Sequence, residues 1–187
     1  MEPILVKDFL KVPGMANLYD YLFQNVPWVN RDAPRDECFM ASEELLYTYG
    51  SGGYYRTYKS VPLDHYVSLI MKGLNAEYLC NYNVCFLNYY KDEKNHLGWH
   101  SDNSPEMDIN HPIAVISFGA ESYIWTKVIG TKGEVPDKDR YLLINGSLFI
   151  MPAGYQNEHL HRIPKNDRPC GGRISLTFRK FMNKETV

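Results

Sequence analysis

Two spacings of apolar residues divide the chain. Before residue 80 they recur at helical intervals. Leu18, Leu22 and Phe23 do so within residues 15–25, after the breaker Pro13-Gly14, and Leu63, Val67 and Ile70 within a segment from residue 62 to about 75. The second segment has Ser60 to cap it, and Pro62, whose missing N–H is no loss in a first helical turn. From residue 83 onward short β-like runs follow one another, at 84–90, 113–118, 123–128, 141–144, 148–151 and 173–181. Asn145-Gly146 is a strong hairpin signal between two of them, and Gly119-Ala120-Glu121-Ser122 a weaker one. Two helices followed by many short strands predict a mostly β fold with flanking helices, a sandwich or jelly roll. One domain is expected over residues 1–187, helical and covering in 1–80, with the jelly-roll core in 81–182.

At 187 residues and 44% hydrophobic the chain has enough apolar surface for a full-sized core. A net charge of -2 and a pI near 6.3 give no global field toward nucleic acid. Any such contact would need a local patch, for which Arg31, Arg35, Arg56, Lys59, Lys91 and Lys94 are available, although scattered solubilising charge explains them more simply. The start, MEPILVKDFL, lacks the basic region and apolar run of a secretory signal, and no stretch reaches the ~18–20 apolar residues of a membrane span. A cytoplasmic protein, or a nuclear one in a eukaryote, is expected. Cys38, Cys80, Cys85 and Cys170 form no C-x-x-C pair and read as buried, reduced thiols. The 15 tyrosines suit a stacking surface and ordinary strands equally.

Trp99-His100-Ser101-Asp102 opens the polar loop DNSPEMDINH. Residues two apart on an extended chain point the same way, so His100 and Asp102 converge. A later histidine would complete two nitrogens and one oxygen on one face of an ion, the set that non-heme iron(II) oxygenases use to leave positions open for co-substrate and oxygen. In isolation His-x-Asp arises by chance, and a turn in which Asp102 accepts backbone hydrogen bonds is the simpler reading. His159 and His161 share one face of a strand, and spacing alone leaves both as candidates for the third ligand. His65, His96 and His111 read as surface or structural. In GGRISLTFR, Arg173, Ser175, Thr177 and Arg179 share one face, and Ile174, Leu176 and Phe178 the other. Facing water, the first set would be a solvated edge. Pointing between two sheets, the guanidiniums need anions, and a dicarboxylate matches the arginine fork. Asn88 and Tyr90, also two apart on a strand, could add hydrogen bonds to that ligand.

These residues lie in NYNVCFLNYYKDEKNHLGWHSD, HPIAVISFGA, GSLFIMPAGYQNEHLHRIPK and GGRISLTFRK, which together resemble the AlkB-type dioxygenases over residues 83–181. The branch they resemble most repairs DNA by demethylating alkylated bases. Ala33-Pro34-Arg35 and Tyr47-Thr48-Tyr49-Gly50 are similar to its Pro-Arg and Tyr-Thr-Tyr-Ser-Gly. The resemblance implies a double-stranded β-helix and Fe(II) ligands His100, Asp102 and His161, the last because it precedes Arg-Ile-Pro-Lys. It implies 2-oxoglutarate held by Asn88, Tyr90, Arg173 and Arg179, with Ser175 where the family has asparagine. It implies a substrate lid within residues 1–80, substrate contacts at Arg35, Tyr47 and Tyr49, and a target base stacked between Tyr49 and His100. The implied reaction, in a protein expected to be monomeric, uses O2 and 2-oxoglutarate to demethylate N-alkylated bases in single-stranded or flipped DNA, releasing formaldehyde, succinate and CO2. Ser104 departs from the pattern, because the repair branch has there an acidic residue that contacts the exocyclic amino group of the base. Serine cannot supply that charge-assisted bond, so either Glu106 substitutes or the base preference differs. RNA, free nucleotides and protein side chains stay open as substrates. So does a nucleic-acid-binding module without turnover, against which the complete triad and both arginines speak.

Overall fold

The computed structural model describes residues 1–10, 17–51 and 54–182, so Pro13-Gly14 and the start of the first expected helix lie outside the described residues. In chain order it contains β1 (Ile4–Val6), α1 (Leu18–Asn25), β2 (Val29–Asn30), β3 (Asp36–Ala41), β4 (Leu46–Ser51), β5 (Tyr54–Lys59), β6 (Val61–Pro62) and α2 (His65–Glu77). Then follow β7 (Val84–Tyr90), β8 (Leu97–His100), β9 (Ile113–Gly119), β10 (Ser122–Val128), β11 (Arg140–Leu143), β12 (Leu148–Met151), the single turn α3 (Tyr155–Glu158), β13 (His159–Ile163) and β14 (Arg173–Arg179). All six strands expected after residue 83 are present within a residue or two. The first 80 residues, expected as helices and a covering segment, also hold six strands.

Two sheets face each other as a jelly roll. The larger runs β1-β12-β9-β14-β7-β3-β2 with β6 beside β3, the smaller β11-β10-β13-β8, and β4 and β5 form a separate hairpin. Asn145-Gly146 is not a hairpin turn. It joins β11 to β12, which lie in different sheets, and so carries the chain from one layer to the other. Gly146 turns there at φ +77°, its N–H donating to the Ser117 carbonyl (2.7 Å). The Gly119–Ser122 turn likewise passes from the larger sheet to the smaller. Both segments do turn the chain, but the strands they join lie in different layers, because pairing is decided by which layer buries each strand's apolar face.

The larger sheet separates two cores. Cys85, Leu87, Ile116, Ile174, Leu176 and Phe178 pack under α1 and α2, while Val84, Phe86, Val115, Ile124, Phe149 and Ile163 fill the space between the sheets and the hairpin. Helix α1 buries Leu18 and Leu22, but Phe23, expected on the same stripe, is exposed on its flank. Asp64, not Ser60, caps α2, accepting from the N–H groups of Tyr66 (2.8 Å) and Val67 (3.4 Å). The Ser60 hydroxyl instead accepts from Leu45 N–H and ties the base of the hairpin. No described helix is long and apolar enough to cross a membrane.

Candidate metal centre

Strand register brings the first two histidines together. His161 on β13 sits directly opposite His100 on β8, with ring centroids 4.1 Å apart. Asp102, two residues beyond β8, turns back toward both, with Oδ1 3.9 Å from His100 Nε2 and Oδ2 3.8 Å from His161 Nε2. Among the described residues this is the one cluster whose ligand atoms, all within 4.8 Å of one another, could hold a metal ion. His159 is excluded from it, its ring stacked on Tyr155 (centroids 3.9 Å, 8°). His111 bonds Asp108 (2.9 Å) and His65 edges onto Tyr66, as structural or surface histidines do.

The surroundings hold the three groups in ligating states. His100 Nδ1 donates to the Gly98 carbonyl (2.9 Å), which leaves its Nε2 lone pair aimed inward. Burial lowers the pKa of both imidazoles, that of His161 to about 3 with the nearby His100 adding to the shift, so both rings are neutral at pH 7. Burial alone would raise the Asp102 carboxyl, but the Arg179 guanidinium, which donates to Oδ2 (2.7 Å), and the two histidines outweigh it and keep it ionised. Arg179 on one oxygen leaves Oδ1 as the free donor atom. The Gln156 amide carbonyl accepts from Asp102 N–H (2.9 Å), and the Ser101 hydroxyl donates to the Gln156 main-chain carbonyl, so the loop after β8 is anchored at α3.

Strand β14 is buried along its whole length, which overturns the solvated-edge reading of its arginines. Both guanidiniums lie between the sheets. Arg179 is paired with Asp102, its Nε left without a partner. Arg173, 3% exposed, is not: it donates from one terminal nitrogen to Ser117 Oγ (2.9 Å) and lies 5.1 Å over the Tyr90 ring, while Nε and its other terminal nitrogen have no partner. A buried cation with two unused donors fits an absent carboxylate. Ser175 lies in register between Asn88 of β7 and Ser117 of β9. Asn88 Oδ1 accepts from Arg35 Nε (2.8 Å), so Arg35 acts on it rather than standing free at the surface.

The substrate-side residues separate into those that reach the site and those that do not. Tyr49 lines, with Arg35, Asn88, His100, Asp102 and Arg179, a cavity of about 40 Å³. Tyr47 touches that cavity but is 2% exposed and packs into the core on Phe39, Tyr58 and Phe181, so it supports the hairpin. Ser104 and Glu106 do not line the cavity, and the Met107–Phe181 bridge pins their loop beside the end of β14. Three of the six cations weighed as a local patch face a carboxylate. Arg35 (2.6 Å) and Arg56 (4.0 Å) face Glu37, and Lys59 pairs with Glu44 (2.8 Å). Glu37, 1% exposed and also receiving the Tyr58 hydroxyl (2.9 Å), was missed by sequence reasoning, although a lone acid in the apolar run ECFMA was its signal. Gln156 and Ser117 gave none.

A family model described as the 2OG-Fe(II) oxygenase superfamily matches residues 4–179. Among curated proteins the chain is similar to alpha-ketoglutarate-dependent dioxygenase alkB homolog 3 of Bos taurus, at 29% identity over 201 residues, 96% of this chain and 68% of that protein. It is also similar to the DNA oxidative demethylase ALKBH2 of Arabidopsis thaliana, at 28% over 207 residues, 94% of this chain and 65% of that protein. The chain thus spans about two thirds of the length of these relatives. Among solved structures, that of OsALKBH1 superposes with a TM-score of 0.68 over 95% of this chain and 96% of that one, at 15% identity, a likeness of fold alone.

Proposed function

The chain belongs to the 2OG-Fe(II) oxygenase superfamily and is an Fe(II)- and 2-oxoglutarate-dependent dioxygenase, and on that premise we propose that it oxidatively demethylates N-alkylated bases in DNA, single-stranded or flipped from a duplex. The observation that carries the reading is Tyr49 lining one cavity with His100 and Asp102, an aromatic face beside the candidate metal ligands. The likeness to a DNA oxidative demethylase supports DNA as the polymer.

In this reading His100 Nε2, Asp102 Oδ1 and His161 Nε2 would hold the iron, and the neutral imidazoles and ionised carboxylate need lose no proton to do so. With iron and 2-oxoglutarate bound there, the site would supply O2-dependent hydroxylation of an N-methyl C–H bond, after which the C–N bond breaks to give formaldehyde and the N–H base, with succinate and CO2 as the other products. Arg179 fixes the Asp102 carboxylate so that one oxygen stays aimed at the ion. Arg173, backed by Ser117 and Tyr90, binds a carboxylate of 2-oxoglutarate through its unused donors. Asn88 and Ser175 line the same face of the larger sheet. The base stacks on Tyr49. A cavity of about 40 Å³ has room for about three waters, so a base enters it only if the side chains that line it move apart.

The test is formaldehyde release from single-stranded DNA carrying N-methylated bases, with methylated RNA and mononucleotides as competitors. Anaerobic titration of the apo-protein with Fe(II) and 2-oxoglutarate runs beside it, following the weak visible charge-transfer band of the chelate. Formaldehyde from DNA, and a band lost in His161→Ala but kept in His159→Ala, are expected. A band without formaldehyde from DNA would move the substrate to one of the competitors. Neither band nor succinate would leave a binding module.

A further inference from the structure

The outward face of the smaller sheet carries a row of alternating cations and indoles. Trp125 of β10 lies in register between Arg140 of β11 and Arg162 of β13. Both guanidiniums sit on its ring, at 4.7 and 4.2 Å from the centroid. Arg162 also covers Trp99 (5.0 Å), whose ring is shared with Lys127 (4.5 Å). Cation–π contact stabilises each member, but it stacks three positive charges along one short line. Arg140 is ion-paired, with Asp137 (3.1 Å), and among the described residues Arg162 has no acidic partner. The Nε groups of both arginines are buried without an acceptor.

Both arginines line an open groove of about 1060 Å³ together with Lys165 and Arg168, four cations against the three carboxylates Glu121, Asp137 and Asp167. Leu97 lines this groove and also the metal-site cavity, so one residue separates the two. Strand β13 explains the adjacency, since His161 points between the sheets and Arg162, the next residue, points out.

We propose that this groove binds the phosphodiester backbone of the single strand that flanks the target base, with phosphates on Arg140 and Arg162 and a neighbouring base against the exposed Tyr123. The proposal rests on the nucleic-acid reading of the metal site and adds to it where the rest of the polymer runs. Arg162, over an indole face and without an acidic partner among the described residues, keeps donors for a phosphate, and on Arg140 a phosphate competes with the exposed Asp137. The site is built for any sequence, because it reads charge and ring faces and no base edge.

Fluorescence anisotropy of the protein loaded anaerobically with Fe(II) and 2-oxoglutarate tests this, using a methylated single strand of about 15 nucleotides and a methylated trinucleotide. The R140Q/R162Q pair should weaken binding of the long strand about tenfold and make its salt slope shallower by about 1.4, two phosphate contacts at ~0.7 each. Trinucleotide binding and demethylation should not change. R140K/R162K, which keeps the charge, should keep the salt slope. Circular dichroism checks the fold, and R162Q alone, at half the change in slope, serves if the double variant unfolds. An unchanged slope in the glutamine variants, or equal loss for both oligonucleotides, overturns the groove while a wild type that demethylates the trinucleotide leaves the metal-site reading standing. A wild type that takes neither oligonucleotide overturns both.

Discussion

Arg173 should trade stability for function, and replacing it should move the two in opposite directions. The guanidinium is 3% exposed, has no ion-pair partner among the described residues, and leaves two donors unused. Burial accordingly lowers its pKa, with the Tyr90 hydroxyl pulling the other way. A buried charge without a counter-ion destabilises by several kcal/mol before relaxation and local water reduce the penalty. Arg173→Met removes that charge and keeps most of the volume, so the apo-protein should gain about 1–2 kcal/mol, or a rise in Tm of roughly 2–8 °C for a chain of this size. The same change removes two charge-assisted hydrogen bonds to the ligand at about 1.5–3 kcal/mol each, so 2-oxoglutarate should bind at least ~100-fold more weakly. Thermal melts with and without 2-oxoglutarate read both effects at once. The wild type should be strongly stabilised by the ligand, whereas the variant should start higher and respond little. A variant that melts lower and still shifts fully with 2-oxoglutarate would refute the assignment, because Arg173 would then be a packing residue with its donors satisfied by water.

Three further outcomes are expected. Glu37→Gln removes the carboxylate that holds Arg35 at 2.6 Å and receives Tyr58 at 2.9 Å, and urea denaturation should show a loss of up to about 3 kcal/mol, with a weaker grip of Arg35 on Asn88 seen as a raised KM for the base. His100, His161 and Asp102 all have folded pKa values below their unfolded ones, so each binds fewer protons folded than unfolded. Apo-protein stability is therefore complete above a pH of about 6.5 and falls as pH drops below it, at up to ~1.4 kcal/mol per pH unit per proton, and the Tm-against-pH slope should be shallower by about one proton in His161→Ala. Gly119→Ala places a Cβ against the Gly172 carbonyl and 2.8 Å from the Tyr19 ring at a φ of +85°, and chemical denaturation should show more than about 2 kcal/mol lost.

Most of the second half of the chain was legible because its strands are long alternations or apolar runs bounded by turn residues, and β7 and β12 begin and end where the spacing predicts. The first 80 residues were harder for a physical reason. In β4 and β5 the alternation is written in tyrosine and threonine, and tyrosine serves as core at Tyr47 and as cavity wall at Tyr49, so the pattern has little apolar contrast to show. The triad was legible as residue types, but the choice of His161 over His159 depends on the β13–β8 register, which only the assembled sheet fixes. The arginines of β14 teach the same lesson more sharply. Their alternation says that Arg173 and Arg179 share a face, and nothing local says whether that face meets water or a second sheet. The second sheet decides it, and it gives the two arginines different partners. Arg179 pairs with Asp102 and keeps one buried donor, its Nε, unmatched, while Arg173 meets a serine and a tyrosine ring and has two unmatched donors. Each guanidinium keeps donor capacity for a ligand, Arg173 more than Arg179, and that difference follows from where the fold sends each buried hydrogen bond.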